Sequence, residues 1–198
     1  MRYEVMFTNE QLKAMIRQEV ISEQYPYSEQ DDQALKNYLK AILAELERAN
    51  IRCKVEPDHF GSGYASYMQW FVYEESGVQV EEDRFTRTEY IKGLHVLISN
   101  LAPVIVIGNA DQSSSYILKT GAYSSGGQSV MCKPEDITVE PARQQLAEQL
   151  ERLFMKYQFT ILRKEDLEAP LPFDADIPTI WREKREYLVW DAVFYWED

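Results

Sequence analysis

Thiol and imidazole groups are scarce in this sequence, which contains only two cysteines and two histidines. Cys132 together with His59 or His95 could supply a nucleophile and the general base that activates it. No local motif pairs them, and His95 lies within an apolar pattern typical of a buried core histidine. Because Cys-x-x-Cys and His-x-x-x-His spacings are both absent, we expect no metal site and no bound cofactor.

Two short segments carry residue types that suit a small-molecule site. The segment around Gly61 could approach a phosphate through bare backbone amides, but it lacks the third glycine of a dinucleotide fingerprint and the Gly-Lys of a P-loop. The apolar run that ends at Ile107 is followed by Asp111, and ligands bind at such strand ends in open α/β sheets. A small-molecule enzyme or ligand-binding domain is therefore an alternative, with its site at the loops after Ile107 and around Gly61. Its candidate groups are Asp111, His59 and Ser62, although ordinary turns explain both segments more simply.

Acidic and aromatic residues occur together in one predicted hairpin. Tyrosine and tryptophan are favoured interface anchors because they bury a large area at little entropic cost, and acids around them steer a basic partner. The residues that combine these properties are Trp70, Tyr73, Glu74, Glu75, Glu81, Glu82 and Asp83. We expect them to form a partner-binding surface, with a core-facing aromatic set beside a solvated hairpin tip as the alternative.

The charge balance restricts the partners that this chain can bind. It has 33 acidic and 21 basic residues, hence a net charge of −12. Nucleic acids and anionic membranes attract basic proteins, so we expect neither as a partner. A basic protein is the partner that such a charge attracts over a distance.

Apolar residues recur at helical spacing in four segments, which predicts helices over 9–22, 31–49, 87–100 and 141–157. Thr8 with Gln11, and Thr86 with Glu89, have the spacing of a capping box. Pro141 suits the first position of the last helix. The stripes of the second and fourth helices predict that both pack on the same sheet.

Alternating or continuous apolar runs predict the strands. They fall at 51–55, 64–74, 78–85, 103–107, 115–119, 129–133, 159–162 and 187–196. The second and third of these should pair as a hairpin, and a Gly/Ser-rich turn at 121–127 should join the fifth and sixth. The order of elements predicts one α+β domain over residues 1–198, with a mixed, mostly antiparallel sheet packed against three to four helices.

These observations favour a binding protein over an enzyme. Strong acidity, aromatic residues beside acids and the lack of a catalytic motif predict an acidic protein-binding protein, most concretely an immunity or antitoxin protein that neutralises a basic bacterial toxin. Residues 1–9 contain no apolar export signal, and two widely spaced cysteines are typical of a reducing compartment, so we expect a cytoplasmic location. A structural or phage-related accessory protein remains a third alternative, and the sequence leaves the oligomeric state open.

Overall fold

The computed structural model describes residues 6–56, 63–180 and 182–197. Seven strands form one sheet: β1 (Arg52–Val55), β2 (Tyr67–Tyr73), β3 (Val78–Glu82), β4 (Thr86–Ser99), β5 (Val104–Ile117), β6 (Tyr123–Gln128) and β7 (Thr160–Ile161). The main strand order is β1-β2-β4-β5-β6, with β3 paired to β4 and β7 paired to β5. Of the strand pairs in these described residues, only the short β5–β7 pair is parallel. The chain is thus a single α+β fold, as predicted.

One face of the sheet carries the two long helices, α2 (Asp32–Arg48) and α3 (Gln144–Lys156). Their predicted stripes are buried, including Leu39, Ile42, Leu150 and Phe154. These side chains share one core with alternate residues of the central strands, such as Val96 and its cross-strand partner Ile107. The prediction that both helices pack on one sheet is confirmed.

The opposite face is covered by three shorter helices and irregular chain near the C-terminus. The helices are α1 (Asn9–Ile16), α4 (Lys164–Leu167) and α5 (Val189–Val193). The capping box of Thr8 and Gln11 is present, but α1 ends at Ile16 because Gln18 has a left-handed backbone, with φ of 63°. Among the described residues, no helix is long and apolar enough to cross a membrane.

The helix predicted over 87–100 is wrong, because these residues form strand β4. Its second half, from Gly93 to Ser99, is buried on both faces of the sheet. A doubly buried strand has a continuous apolar sequence, and periodicity cannot distinguish such a run from a buried helix. Thr86 does not cap a helix; it follows the turn that joins β3 to β4.

The strand predicted at 115–119 is the end of β5 and not a separate strand, and the strand predicted at 129–133 is wrong. Strand β5 does not stop at Gly108 but continues to Ile117, and the predicted turn at 121–127 contains most of β6. Gly108 does not end the strand. A side chain at this position would overlap the carbonyl oxygen of Asp136, which lies in a segment that passes over β5. The glycine permits a close backbone approach in mid-strand.

Two further predictions need correction. Strands β2 and β3 do not pair with each other; they follow one another along the same edge of β4. The predicted strand at 187–196 contains the helix α5, whose Trp190 and Val193 are buried. Extended chain flanks this helix on both sides, where Leu188 forms an antiparallel bridge with Pro170 and Trp196 forms one with Ala65.

Half of the long β4–β5 ladder extends beyond the helix layer. We call this part the distal sheet and define it as β3, residues 86–92 of β4, residues 111–117 of β5, and β6. Most of its positions are exposed or half-buried on both faces, whereas the other half of β4 and β5 is almost wholly buried. The distal sheet is therefore the most accessible regular structure among the described residues.

Candidate partner-binding surface

Large apolar side chains are exposed mainly on and around the distal sheet. Eight of the thirteen exposed large hydrophobic residues among the described ones lie between residues 78 and 130. They are Val80, Phe85, Tyr90, Tyr116, Ile117, Leu118, Tyr123 and Val130. Single exposed apolar residues need no explanation, but a concentration in one region is typical of an interaction site.

Three of these residues, Phe85, Ile117 and Leu118, form what we call the apolar tip. Phe85 is 66% exposed and follows β3, whereas Ile117 is the last residue of β5 and Leu118 follows it. The Leu118 amide donates a hydrogen bond to the Phe85 carbonyl over 2.9 Å, and Ile117 is paired with Thr86. The end of the β4–β5 ladder thus brings together the backbones of three exposed apolar residues, with Phe85 opposite Leu118 and Thr86 opposite Ile117.

Asp83 fixes the turn that presents Phe85. One oxygen of its carboxylate accepts hydrogen bonds from the amides of Phe85 and Thr86, each over 2.7 Å, and the other accepts one from the Thr86 hydroxyl over 2.9 Å. These bonds favour the ionised form and lower the pKa of Asp83. Asp83 is therefore a structural acid of the turn, in addition to any role in steering.

The other predicted acids lie in two groups rather than one. Glu74 and Glu75 precede β3, whereas Glu81 and Glu82 end it, and the five residues of β3 span about 13 Å. Glu75 lies 4.0 Å from Arg52 and Glu82 lies 3.8 Å from Arg87, both as exposed ion pairs. Only Glu81 and Glu82 adjoin the apolar tip.

The two predicted aromatic anchors lie away from the apolar tip. Trp70 is 1% exposed and packs against Phe154 of α3, with ring centroids 5.8 Å apart, so its ring belongs to the core. Tyr73 is half-buried beside Phe71, with the Lys54 ammonium 5.4 Å from its ring centroid. Sequence reasoning does not find the apolar tip, because residues 115–119 have the pattern of an ordinary strand. The one signal there is the position of Ile117 and Leu118 before the turn residues Lys119, Thr120 and Gly121.

A buried arginine marks the point where the distal sheet leaves the helices. Arg143, just before α3, donates hydrogen bonds from Nη1 to the carbonyls of Gly93 and Ala110, over 2.9 and 3.1 Å. Its Nη2 lies 2.7 Å from the Asp111 carboxylate and 3.4 Å from that of Glu140. The guanidinium thereby links α3 to both central strands at the base of the distal sheet.

The groups of the small-molecule alternative do not converge among the described residues. Asp111 lies in the middle of β5, in its ion pair with Arg143, and not in a loop after Ile107. His95 belongs to the opposite face of the sheet, because it pairs with Gly108 while Asp111 pairs with Lys92. Gly61, His59 and Ser62 lie outside the described residues.

The described histidine and the two thiols are not activated. Burial lowers the pKa of His95 to about 4, and neither ring nitrogen has a hydrogen-bond partner among the described residues. Burial raises the pKa of Cys53 to about 12, and burial with the nearby Asp136 carboxylate raises that of Cys132. Both cysteines are therefore neutral thiols at pH 7 rather than reactive thiolates.

The described ranges contain no group of three or more His, Cys, Asp or Glu side chains that could hold a metal ion. The comparisons with known proteins add no further assignment. No protein-family model matches the chain, and neither the curated proteins nor the solved structures include a match.

Proposed function

We propose that this protein acts by binding a basic protein partner through the distal sheet. The observation that carries the proposal is the apolar tip, where Phe85, Ile117 and Leu118 are exposed at the end of the distal sheet, beyond the helix layer. A well-packed partner pocket around such side chains would supply most of the binding energy. The net charge of −12 would draw a basic partner towards the protein.

The most concrete form of the proposal is an immunity or antitoxin protein in the cytoplasm. In that role the protein would occupy the surface of a basic bacterial toxin and block its action. Charge attraction suits this task, because a neutralising protein must find its target quickly and at low concentration. The proposal assigns the protein no chemical reaction of its own.

Site-specific photo-crosslinking in the native host tests the proposal. A photoreactive amino acid replaces Phe85 in one variant and Met155 in a control variant, because Met155 is also exposed but lies on α3. We expect a single basic protein to crosslink at position 85 and not at position 155, and mass spectrometry identifies it. An acidic partner, a nucleic acid or equal crosslinking at both positions would contradict the proposal.

The toxin version has a separate test. If the captured protein inhibits growth when expressed alone, co-expression of this protein should restore growth. Phe85→Ser should weaken that protection, whereas Met155→Ser should leave it unchanged. If the captured protein is not toxic, the binding proposal still stands but the immunity role is contradicted.

A further inference from the structure

Within the described residues, three strands of four or more residues have a partner strand on one side only: β1, β3 and β6. An unpaired edge presents a row of free N–H and C=O groups to any other strand, and charged side chains are a common protection against such pairing. Strand β1 carries Arg52 and Lys54, and β3 carries Glu81 and Glu82. Strand β6 has the sequence Tyr-Ser-Ser-Gly-Gly-Gln and carries neither a charge nor a proline.

The uncharged region extends well beyond β6. No charged residue occurs from position 120 to position 132, or from 112 to 118, in a chain with 27% charged residues. Two copies of a protein with a net charge of −12 repel each other at most approaches. Like charges placed opposite each other would destabilise the pairing of two strands. Two copies that meet at the β6 edge avoid this, because the edge carries no charge.

We propose that β6 is a self-association edge, which pairs antiparallel with β6 of a second copy about a two-fold axis. The two distal sheets would then form one continuous sheet of eight strands, with four from each copy, and the interface would be isologous. Ser125 to Gln128 keep regular register with β5, since the single register shift lies at the hairpin end. The proposal does not depend on the proposed function.

The side chains near this edge fit a second copy better than a basic partner. Ser125, Gly126 and Gly127 are small and exposed, so nothing on them obstructs an incoming strand. Tyr123 is 63% exposed and packs edge-on against Tyr116, which offers an aromatic contact beside the backbone pairing. A basic strand would find no carboxylate on β6, whereas an identical neutral strand needs none.

The size of the edge sets the expected strength. Six residues per copy bury less than the roughly 800 Å² per partner of a standard interface, so we expect a dissociation constant in the micromolar range or weaker. Added salt screens the repulsion between the two acidic copies and should strengthen the dimer. Binding of a basic partner should weaken with salt, so the two associations respond in opposite directions.

Sedimentation equilibrium over a range of protein concentrations, at low and high salt, tests the proposal. Ser125→Glu places a carboxylate at the midpoint of β6, close to the proposed two-fold axis. Gln79→Glu adds the same charge to the other edge of the distal sheet, on the exposed strand β3. We expect the wild type and Gln79→Glu to dimerise alike, more tightly at high salt, and Ser125→Glu to dimerise at least about tenfold more weakly.

Thermal unfolding followed by circular dichroism checks that both variants keep the wild-type fold, which we expect because both substituted positions are exposed. A wild-type protein that stays monomeric at every concentration and salt level would overturn the proposal. So would a dimer that Ser125→Glu leaves unchanged, or one that both substitutions weaken equally. Capture of a basic partner at Phe85 is independent of these outcomes.

Discussion

Individual buried side chains account for the stability of the helix-bearing half of the molecule. Leu150 of α3 is fully buried, whereas Met155 on the same helix is 52% exposed. Leu150→Ala should lower the free energy of unfolding by about 2–5 kcal/mol, because it removes buried methyl groups and leaves a cavity. Met155→Ala should change it by less than about 0.5 kcal/mol. Urea denaturation measures both, and equal effects would show that the buried face of α3 is misassigned.

His95 should make stability depend on pH. Its pKa is lowered by burial to about 4 in the folded protein, against about 6.5 in an unfolded chain. The unfolded chain therefore binds the proton first, so this contribution is complete above pH 6.5 and is lost as the pH falls towards 4. The loss should reach about 3 kcal/mol near pH 4.

His95→Leu provides the control for this pH dependence. The free energy of unfolding of the variant should fall less steeply between pH 6.5 and 4, because carboxylates alone then contribute. Urea denaturation at a series of pH values measures the two slopes. Parallel slopes for wild type and variant would contradict a buried neutral His95.

At the scale of elements, the junction between α3 and the sheet depends on Arg143. Arg143→Met removes its hydrogen bonds to the Gly93 and Ala110 carbonyls and should cost about 1–3 kcal/mol of stability. Asp111→Asn should cost less than about 1 kcal/mol, since the Asp111 side chain is 65% exposed. Chemical denaturation of both variants measures the difference, and a larger loss for Asp111→Asn would contradict this division of roles.

Elements with one buried face were predictable from the sequence, and so were the doubly buried strands at 64–74 and 103–107, whereas the doubly buried half of β4 and the helix α5 were not. The stripe of α2 and the capping box of α1 led to the correct helices. The second half of β4 and helix α5 are mostly apolar or aromatic, because both are buried on every side. The spacing of apolar residues in such runs does not distinguish a strand from a helix, so tertiary contacts decide which of the two forms.

The candidate surface was harder to predict than the fold. The sequence placed acids and aromatic residues in one hairpin, but β2 and β3 lie end to end, which separates Trp70 from Glu81 and Glu82. The side chains of the apolar tip are exposed because the helix layer ends before it reaches them. No local pattern around Phe85 encodes that boundary.

At the scale of the whole molecule, charge and shape have separate roles in the proposed binding. The net charge acts at long range, and the Debye length falls from about 30 Å at 0.01 M salt to about 8 Å at 0.15 M. Glu75→Lys with Glu81→Lys should therefore slow association much more than it speeds dissociation, because exposed charges act mainly during encounter. Stopped-flow association at low salt measures this effect. Asp83 is left intact, because its substitution would disturb the turn.

The most direct test of the central claim is the association and dissociation rate of the captured partner, measured across a range of ionic strength for the wild type and Phe85→Ser. We predict that association slows as salt increases, with the same slope for both proteins, and that Phe85→Ser dissociates at least about tenfold faster because it loses an anchor. Met155→Ser should match the wild type. Association that is indifferent to salt, together with unchanged dissociation of Phe85→Ser, would contradict a basic partner bound at the apolar tip.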